Sequence, residues 1–297
     1  MSNYAPFSHG QYAASCQHII CKRYDPASIH AIMLGRPNST DRLQHGDRVY
    51  AITTETPLQV WQIVARKCQQ LNIKLTFLFL DEPRPNVRAL QIILPYAINI
   101  FIDNAPFISL PKNVHLFPIG FPDRSVIAQF VPPTFDEKKS LCLLKFMTRN
   151  NRTERGTVEN ELGNKSFVTN LNEAQILDDA KTKTFLGGNE VSVETFYKIM
   201  SQFKYVLDPA GCGVATHRFW ESIYFNAIPI VRRTHSAFDK LYNFYPCLIV
   251  DRWSDVTENL LLENLDMLQQ RIATFKKDYP TFFEDINVSL EISENHL

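Results

Sequence analysis

Hydrophobic and polar positions follow two alternating periods along most of the chain, and this pattern predicts strands that are separated by helices. Four short apolar runs in the first half predict buried strands, over residues 47–54, 73–80, 98–103 and 114–120. Helical spacing of apolar residues lies between them, over residues 57–71 and 87–94. Strands that alternate with helices favour a mostly parallel α/β sheet.

A second series of the same kind follows residue 139. Its predicted strands span residues 140–148, 166–169, 204–209, 227–233 and 247–251. Its predicted helices span residues 152–162, 192–203, 216–226 and about 255–277. Ser192 and Thr216 are suited to cap two of these helices, because a side-chain oxygen there can accept from the first-turn amides.

The stretch between the two series suits a connection between domains. Residues 121–140 hold three prolines and end in mixed charge, whereas the first forty residues are polar and are expected to be irregular. We therefore expect an N-terminal domain over residues 1–134 and a C-terminal domain over 135–297. Both are expected to be Rossmann-like α/β domains that face each other across a cleft, with loops after the strands directed at it.

Composition narrows the class of protein. The 297 residues include 31 Lys+Arg, 31 Asp+Glu and 45% hydrophobic residues, which excludes intrinsic disorder. A formal net charge of zero provides no global basic field, so no nucleic-acid partner is expected. The N-terminal residues lack a leader pattern and no apolar run approaches ~18 residues, so we expect a soluble, cytoplasmic protein without a transmembrane segment.

Cysteine spacing predicts no metal site and no disulfide scaffold. The six cysteines include no C-x-x-C pair, and most have apolar neighbours. They are expected to be reduced and mostly buried.

Only 10 glycines are present, and two of them lie in the most informative turn. A predicted strand ends at Asp208-Pro209, Gly211 and Gly213 follow, and Thr216 begins the next helix. A glycine-rich turn that leads into a helix N-terminus suits phosphate, because backbone amides are accessible there. An ordinary strand-to-helix turn has the same spacing, so the pattern alone leaves both interpretations open.

The helix that follows carries charged residues that sharpen this hypothesis. His217, Arg218 and Glu221 share one edge near its N-terminus, where cations oppose the helix dipole. An anionic ligand would explain the cations: His217 and Arg218 suit a diphosphate, and Glu221 suits ribose hydroxyls. The alternatives are a surface ion pair between Arg218 and Glu221, or a metal pair of His217 with Glu221, for which no third ligand is suggested.

From about Glu194 to Leu261 the sequence resembles the nucleotide-sugar-binding half of exostosin-type glycosyltransferases, in particular short soluble exostosin-like enzymes. Their ordered pattern is S-P-x-G-x-G, H-R-x-W-E, G-x-I-P-I-V, D-x-L-Y and L-I-V-x-x-W-S. The matching residues here are Pro209, Gly211, Gly213, His217, Arg218, Trp220, Glu221, Ile228 to Val231, Leu241, Tyr242, Trp253 and Ser254. The family's strand followed by N-x-x-x-R resembles the segment with Asn151 and Arg155, although a solvated helix charge is an alternative for Arg155.

The resemblance implies a GT-B-type glycosyltransferase with inversion at the anomeric carbon. It implies a nucleotide-sugar donor, a UDP-sugar before a GDP-sugar, and a glycan or other hydroxyl as acceptor, with no metal or other cofactor required. Asn151, Arg155, Gly211, Gly213, Thr216, His217, Arg218 and Glu221 would bind the donor. The N-terminal domain would lie on the acceptor side, and the product would be a growing glycan.

The reaction also needs a base to deprotonate the acceptor hydroxyl. Carboxylates that follow the first-half strands are the candidates, with Asp103 and Glu55 ranked before Asp81 and Glu82. The alternatives for Asp103 and Glu55 are an Asx turn and a helix-start residue.

This sequence departs from the family pattern at four positions. Asp208, Ala210, Ala215 and Asn226 replace a serine, a polar or basic residue, an acidic residue and a glycine, respectively. A catalytically silent nucleotide-sugar-binding module is therefore the second hypothesis. A nicotinamide-dependent oxidoreductase is disfavoured, because no acidic residue ends the strand that follows the glycine turn.

Overall fold

A computed structural model describes residues 16–20, 42–80, 84–105, 109–117, 119, 127, 129–172, 192–280 and 293–295. The described residues belong to two compact units. Residues 16–119 with 293–295 form the first unit, and residues 127–280 form the second. Within the described residues, each unit contains one five-stranded sheet, and all strand pairs of the two sheets are parallel. The α/β class with two parallel sheets is thus confirmed.

The sheet of the first unit has its strands in chain order, β1-β2-β3-β4-β5. The strands are β1 His18–Ile20, β2 Arg48–Ala51, β3 Leu75–Phe79, β4 Ala97–Ile102 and β5 Val114–Leu116. The helices are α1 Leu58–Leu71 and α2 Val87–Ile93. Trp61 of α1 packs edge-on against Phe79 of β3, with ring centroids 5.6 Å apart, so the apolar face of the helix lies on the sheet.

The sheet of the second unit has the order β10-β9-β8-β6-β7. Its strands are β6 Ser140–Leu144, β7 Val168–Asn170, β8 Phe203–Leu207, β9 Ile228–Arg232 and β10 Leu248–Val250. The chain runs from β6 outward to β7 and then returns to β8 on the other side of β6. The strand order therefore reverses between β6 and β8, which is where open α/β sheets bind ligands.

Five helices connect and cover the described strands of the second unit. They are α3 Arg152–Leu162, α4 Val193–Met200, α5 His217–Tyr224, α6 Ser236–Phe244 and α7 Glu258–Asp278. Ser192 and Thr216 cap α4 and α5 as predicted, accepting from Thr195 N and Phe219 N, respectively.

Two elements differ from the sequence predictions. The first forty residues were expected to be irregular, but β1 pairs in parallel with β2, with His18 opposite Val49. Helix α6 was not predicted at all.

The boundary between the two units also differs from the predicted one. The described residues from 127 to 134 group with the second unit rather than with the predicted N-terminal domain. How the two domains face each other stays a prediction.

Asn226 explains one departure from the family pattern. Its backbone is in the left-handed region, at φ 56°, which glycine and asparagine adopt at the lowest cost. Its side chain also accepts from Lys276 Nζ at 2.6 Å and donates to Pro133 O at 2.8 Å. Asparagine therefore meets the backbone requirement of the family's glycine and adds two tertiary hydrogen bonds.

Lys138 gives the stability of the second unit a predicted pH dependence. It is 4% exposed and donates to Ser201 O at 3.0 Å, and burial lowers the pKa of its amine to about 7. The unfolded chain binds the proton up to its higher pKa, so stability from this group rises with pH above about 7. We expect this rise to amount to on the order of 1 kcal/mol between pH 7.5 and 8.5.

Denaturant unfolding at a series of pH values tests this, with Lys138→Met as the variant. The difference in unfolding free energy between wild type and variant should depend on pH in that interval. Lys139→Met, at the exposed neighbouring position, is the matched control and should show no such dependence. A pH-independent difference for Lys138→Met would contradict the prediction.

Candidate anion-binding site

The predicted donor-binding residues of the second unit converge at the carboxyl ends of β6 and β8. Asp208 follows β8 directly, and its backbone amide donates to Ile230 O of β9 at 2.9 Å. The turn that follows is closed by a hydrogen bond from Gly211 N to Gly213 O at 2.9 Å. Thr216 then donates to Asp208 Oδ1 at 2.5 Å, which joins the end of the strand to the first turn of α5.

Arg155 is buried beneath this turn. It is 6% exposed, donates from Nε to Ala210 O at 3.3 Å and from Nη1 to Met147 O at 2.9 Å, and lies over the ring of Phe146. The alternative of a solvated helix charge is therefore wrong. Asn151 caps α3 and also donates to Gly211 O at 3.2 Å, so both predicted residues contact the glycine turn.

The first turn of α3 is itself held by a charged network. Glu154 pairs with Arg232 at the end of β9 through two hydrogen bonds of 2.8 and 2.7 Å. The same carboxylate accepts from Trp253 Nε1 at 2.8 Å. Because Glu154 precedes Arg155, this network fixes the part of α3 that aims Arg155 at the turn.

Arg218 and Glu221 do not form the surface ion pair that was considered as an alternative. Arg218 instead places its guanidinium over the ring of Phe196, 5.1 Å from the centroid. Its Nε is buried and has no hydrogen-bond partner among the described residues. Glu221 is 5% exposed and accepts from the hydroxyl of Tyr197 at 2.9 Å. Helix α4 thus contacts both side chains, the half-buried Arg218 and the buried Glu221.

The site concentrates positive charge around one carboxylate. Burial, and then the charge of Arg218, lowers the pKa of Arg155 to about 10 and also lowers the pKa of Lys145. Burial raises the pKa of Asp208 to about 6, against the opposing effects of Thr216, Arg218 and Arg155. Arg218 thus destabilises the charges of Arg155 and Lys145, while Asp208 partly offsets the two arginines, and an anion would relieve the remaining repulsion.

Burial also affects the pKa of Glu221. Loss of solvent raises the pKa of its carboxyl, while His217, Arg218 and the hydrogen bond from Tyr197 lower it. A buried carboxyl whose pKa is raised by burial and opposed by a nearby guanidinium and a hydroxyl is typical of a functional position.

Four contributors to the site were not assigned to it from the sequence. Lys145 follows β6 directly and donates to Leu171 O at 2.9 Å, and Asp208 holds Thr216. Asp208 lies at the end of a predicted strand, which was the available signal, whereas the predicted strand 140–148 extended past Lys145 and gave no such signal. Phe196 and Tyr197 gave no such signal, because aromatic residues at helical spacing are ordinary core positions.

The two ranked candidate bases lie in the first unit, after β2 and β4. Asp103 is 0% exposed. Glu55 is half-buried and lies in a turn, in which its backbone amide donates to Ile52 O. A base must reach the acceptor hydroxyl, so burial favours Glu55 over Asp103. Asp81 and Glu82 lie outside the described residues.

Cysteines partly follow the expectation of buried thiols. Cys68, Cys142 and Cys247 are buried, whereas Cys212 is exposed in the glycine turn and Cys21 lies outside the described residues. No cluster of three or more metal-ligating side chains occurs in the described part of the chain. None of its helices combines the length and the apolar character that crossing a bilayer requires.

Gly211 is needed because Arg155 fills the space beside it. A Cβ at this position would lie 2.7 Å from Arg155 Nη2, and hydrogen bonds hold the rest of that guanidinium. Gly211→Ala should therefore displace Arg155 and weaken binding of a nucleoside diphosphate by about 1 kcal/mol. Calorimetric titration would measure this loss.

Gly156→Ala is the matched control for this prediction. It lies in α3 next to Arg155, and a Cβ there meets nothing within 4 Å. The control should keep its affinity and gain helix stability of ~0.5–1 kcal/mol. Equal affinity of wild type and Gly211→Ala would contradict the expectation that displacing Arg155 weakens binding.

Comparisons with known proteins give distant structural similarity only. No family model matches the chain, and no curated protein shows significant sequence similarity to it. HepE of Anabaena, crystallised with UDP-glucose, is 9% identical with a TM-score of 0.45, over 92% of this chain and 82% of HepE. A glycosyltransferase of Rickettsia africae ESF-5 is 10% identical with a TM-score of 0.45, over 89% and 78%. With TM-scores below 0.5, neither similarity bears on the chemistry of this chain.

Proposed function

We propose that this protein is a glycosyltransferase that transfers a hexosyl or pentosyl group from a nucleoside-diphosphate sugar to an acceptor hydroxyl. A UDP-sugar is the preferred donor, and the product is a glycan. The motif order from Pro209 to Ser254 supports an exostosin-type enzyme. The reaction inverts the anomeric carbon and uses no metal ion.

The observation that carries the proposal is the convergence of Lys145, Arg155 and Arg218 at the strand-order reversal of the second sheet. The charge of Arg218 opposes the charges of Arg155 and Lys145, and Asp208 partly offsets the charges of the two arginines. A diphosphate has the charge to stabilise such a cluster and the oxygens to accept from several donors. Cationic side chains of this kind can stabilise a leaving diphosphate without a metal ion.

The site residues divide between the two ends of a nucleoside diphosphate. Arg155, Arg218 and the Gly211–Gly213 turn serve the diphosphate, with Asn151 and Thr216 holding the turn in place. His217 lies in the first turn of α5, the helix that also carries Arg218. Glu221 serves the ribose, and its Oε2 is the oxygen for a hydroxyl because Oε1 accepts from Tyr197.

The attacking hydroxyl requires a base from the first unit, and we assign Glu55 before Asp103. A silent nucleotide-sugar-binding module is the second candidate function. The absence of side-chain functional groups at Ala210 and Ala215, where the family has polar and acidic residues, favours it.

A donor screen followed by turnover assays distinguishes these functions. Calorimetric titration with UDP, GDP and their sugars, each with and without a chelator, tests donor class and metal independence. Release of the nucleoside diphosphate, with water and then with a panel of glycan acceptors, tests transfer. We expect UDP-sugar binding that the chelator leaves unchanged, together with transfer. Binding without turnover would favour the silent module, and no binding to any nucleotide would refute both functions.

A further inference from the structure

Helix α4 contacts two charged residues of the proposed donor site through two adjacent aromatic side chains. Tyr197 donates its hydroxyl to Glu221 Oε1, with the two oxygens 2.9 Å apart. Phe196 lies beneath the guanidinium of Arg218, which is 5.1 Å from the ring centroid. One helix therefore contacts both the residue assigned to the ribose and a residue assigned to the diphosphate.

Tyr197 is a rigid hydrogen-bond donor. Its side chain is 0% exposed, and its ring centroid lies 5.1 Å from that of Phe225 and 5.7 Å from that of Phe130. Because these rings fix its position, the hydroxyl holds one carboxylate oxygen of Glu221 and sets the direction of the other. The direction of that second oxygen decides whether it meets a ribose hydroxyl at hydrogen-bond distance.

Phe196 restricts Arg218 in a different way. A guanidinium that lies over an aromatic ring keeps its N–H groups at the edge of the stack, available to oxygens in the same plane. The half-buried Arg218 is otherwise poorly anchored, since its buried Nε has no partner among the described residues. Among the described residues, the cation–π contact with Phe196 is therefore what restrains this guanidinium.

We propose that Phe196 and Tyr197 are positioning residues of the donor site: Tyr197 sets the preference for ribose hydroxyls through Glu221, and Phe196 sets diphosphate affinity through Arg218. This inference rests on the proposed function, because Phe196 and Tyr197 would position residues of the same donor site. It adds a separation of roles, since each aromatic residue should affect one end of the nucleotide only.

The first experiment compares UDP with 2′-deoxy-UDP by calorimetric titration. Wild type should prefer UDP, and Tyr197→Phe should reduce that preference about threefold to tenfold while affinity for 2′-deoxy-UDP is unchanged. Tyr205→Phe is the matched control, because it removes another buried tyrosine hydroxyl of the same unit, which donates to Leu261 O at 2.7 Å. The control should leave the preference unchanged.

The second experiment uses inorganic diphosphate, which has no ribose. Phe196→Leu should weaken its binding about threefold to tenfold, and Phe196→Trp should restore it, because tryptophan also stacks on a guanidinium. Tyr197→Phe should bind inorganic diphosphate as wild type does.

The outcomes separate this inference from the proposed function. A folded Tyr197→Phe protein with the full wild-type preference for UDP would overturn the role of Tyr197. Wild-type diphosphate affinity in Phe196→Leu, or no recovery in Phe196→Trp, would overturn the role of Phe196. If wild-type protein binds no nucleoside diphosphate, the proposed function fails, and this inference fails with it.

Discussion

Arg155→Met should weaken binding of a nucleoside diphosphate by ~1.5–3 kcal/mol, the range for hydrogen bonds to charged groups. The buried guanidinium is held by Ala210 O and Met147 O, so it meets the ligand already oriented. Methionine keeps much of the apolar volume against Phe146 while removing the charge. Titration with UDP at low ionic strength would measure the loss, and transfer rates should fall as well.

Arg252→Met is the matched control for this variant. Arg252 lies in the same unit, but its side chain is 77% exposed and pairs with Asp255 on the surface. Surface pairs contribute little, so the control should change affinity by less than about 0.5 kcal/mol. Wild-type affinity in a folded Arg155→Met protein would remove Arg155 from the site.

The local sequence pattern was sufficient to predict most helices and strands, because the spacing of hydrophobic residues and the capping residues are local properties of the sequence. Helix α3 spans the predicted residues 152–162, and α1 begins one residue after the predicted start, since Pro57 precedes it as the cap. The β1 strand has only three residues and depends on pairing with β2, and the local sequence pattern carries no information about that pairing. In α6, the buried positions Ala237, Phe238, Leu241 and Tyr242 have helical spacing, but the prediction treated this segment as a short motif only.

The site shows the same division between local and tertiary information. The Thr216 cap is local, and it was predicted. The contact of Arg155 with the glycine turn depends on β6 and β8 being neighbours, which follows from strand order. The contacts of α4 with α5 also depend on tertiary structure. The sequence therefore identified Arg218 and Glu221 but not Phe196 and Tyr197, the aromatic residues that contact them.

Asp208→Asn should tighten donor binding by ~1–2 kcal/mol. The carboxylate lies among Thr216, Arg155 and Arg218, so it competes with a diphosphate for the same positive charge. Asparagine can still accept from Thr216 while it lacks the charge. One charge at several ångströms in a medium of effective dielectric constant ~20 accounts for this magnitude.

The same carboxylate predicts how binding depends on pH. The pKa of Asp208 is about 6, raised by burial, so lowering the pH from 7.5 to 5.5 protonates it and removes a negative charge. Wild type should therefore bind a UDP-sugar more tightly at the lower pH, and its two esterified phosphates stay ionised throughout. Asp208→Asn should lose this part of the dependence, while any effect of His217 is the same in both proteins. Equal pH dependence in the two proteins, or weaker binding by the variant at pH 7.5, would show that Asp208 does not compete with the donor.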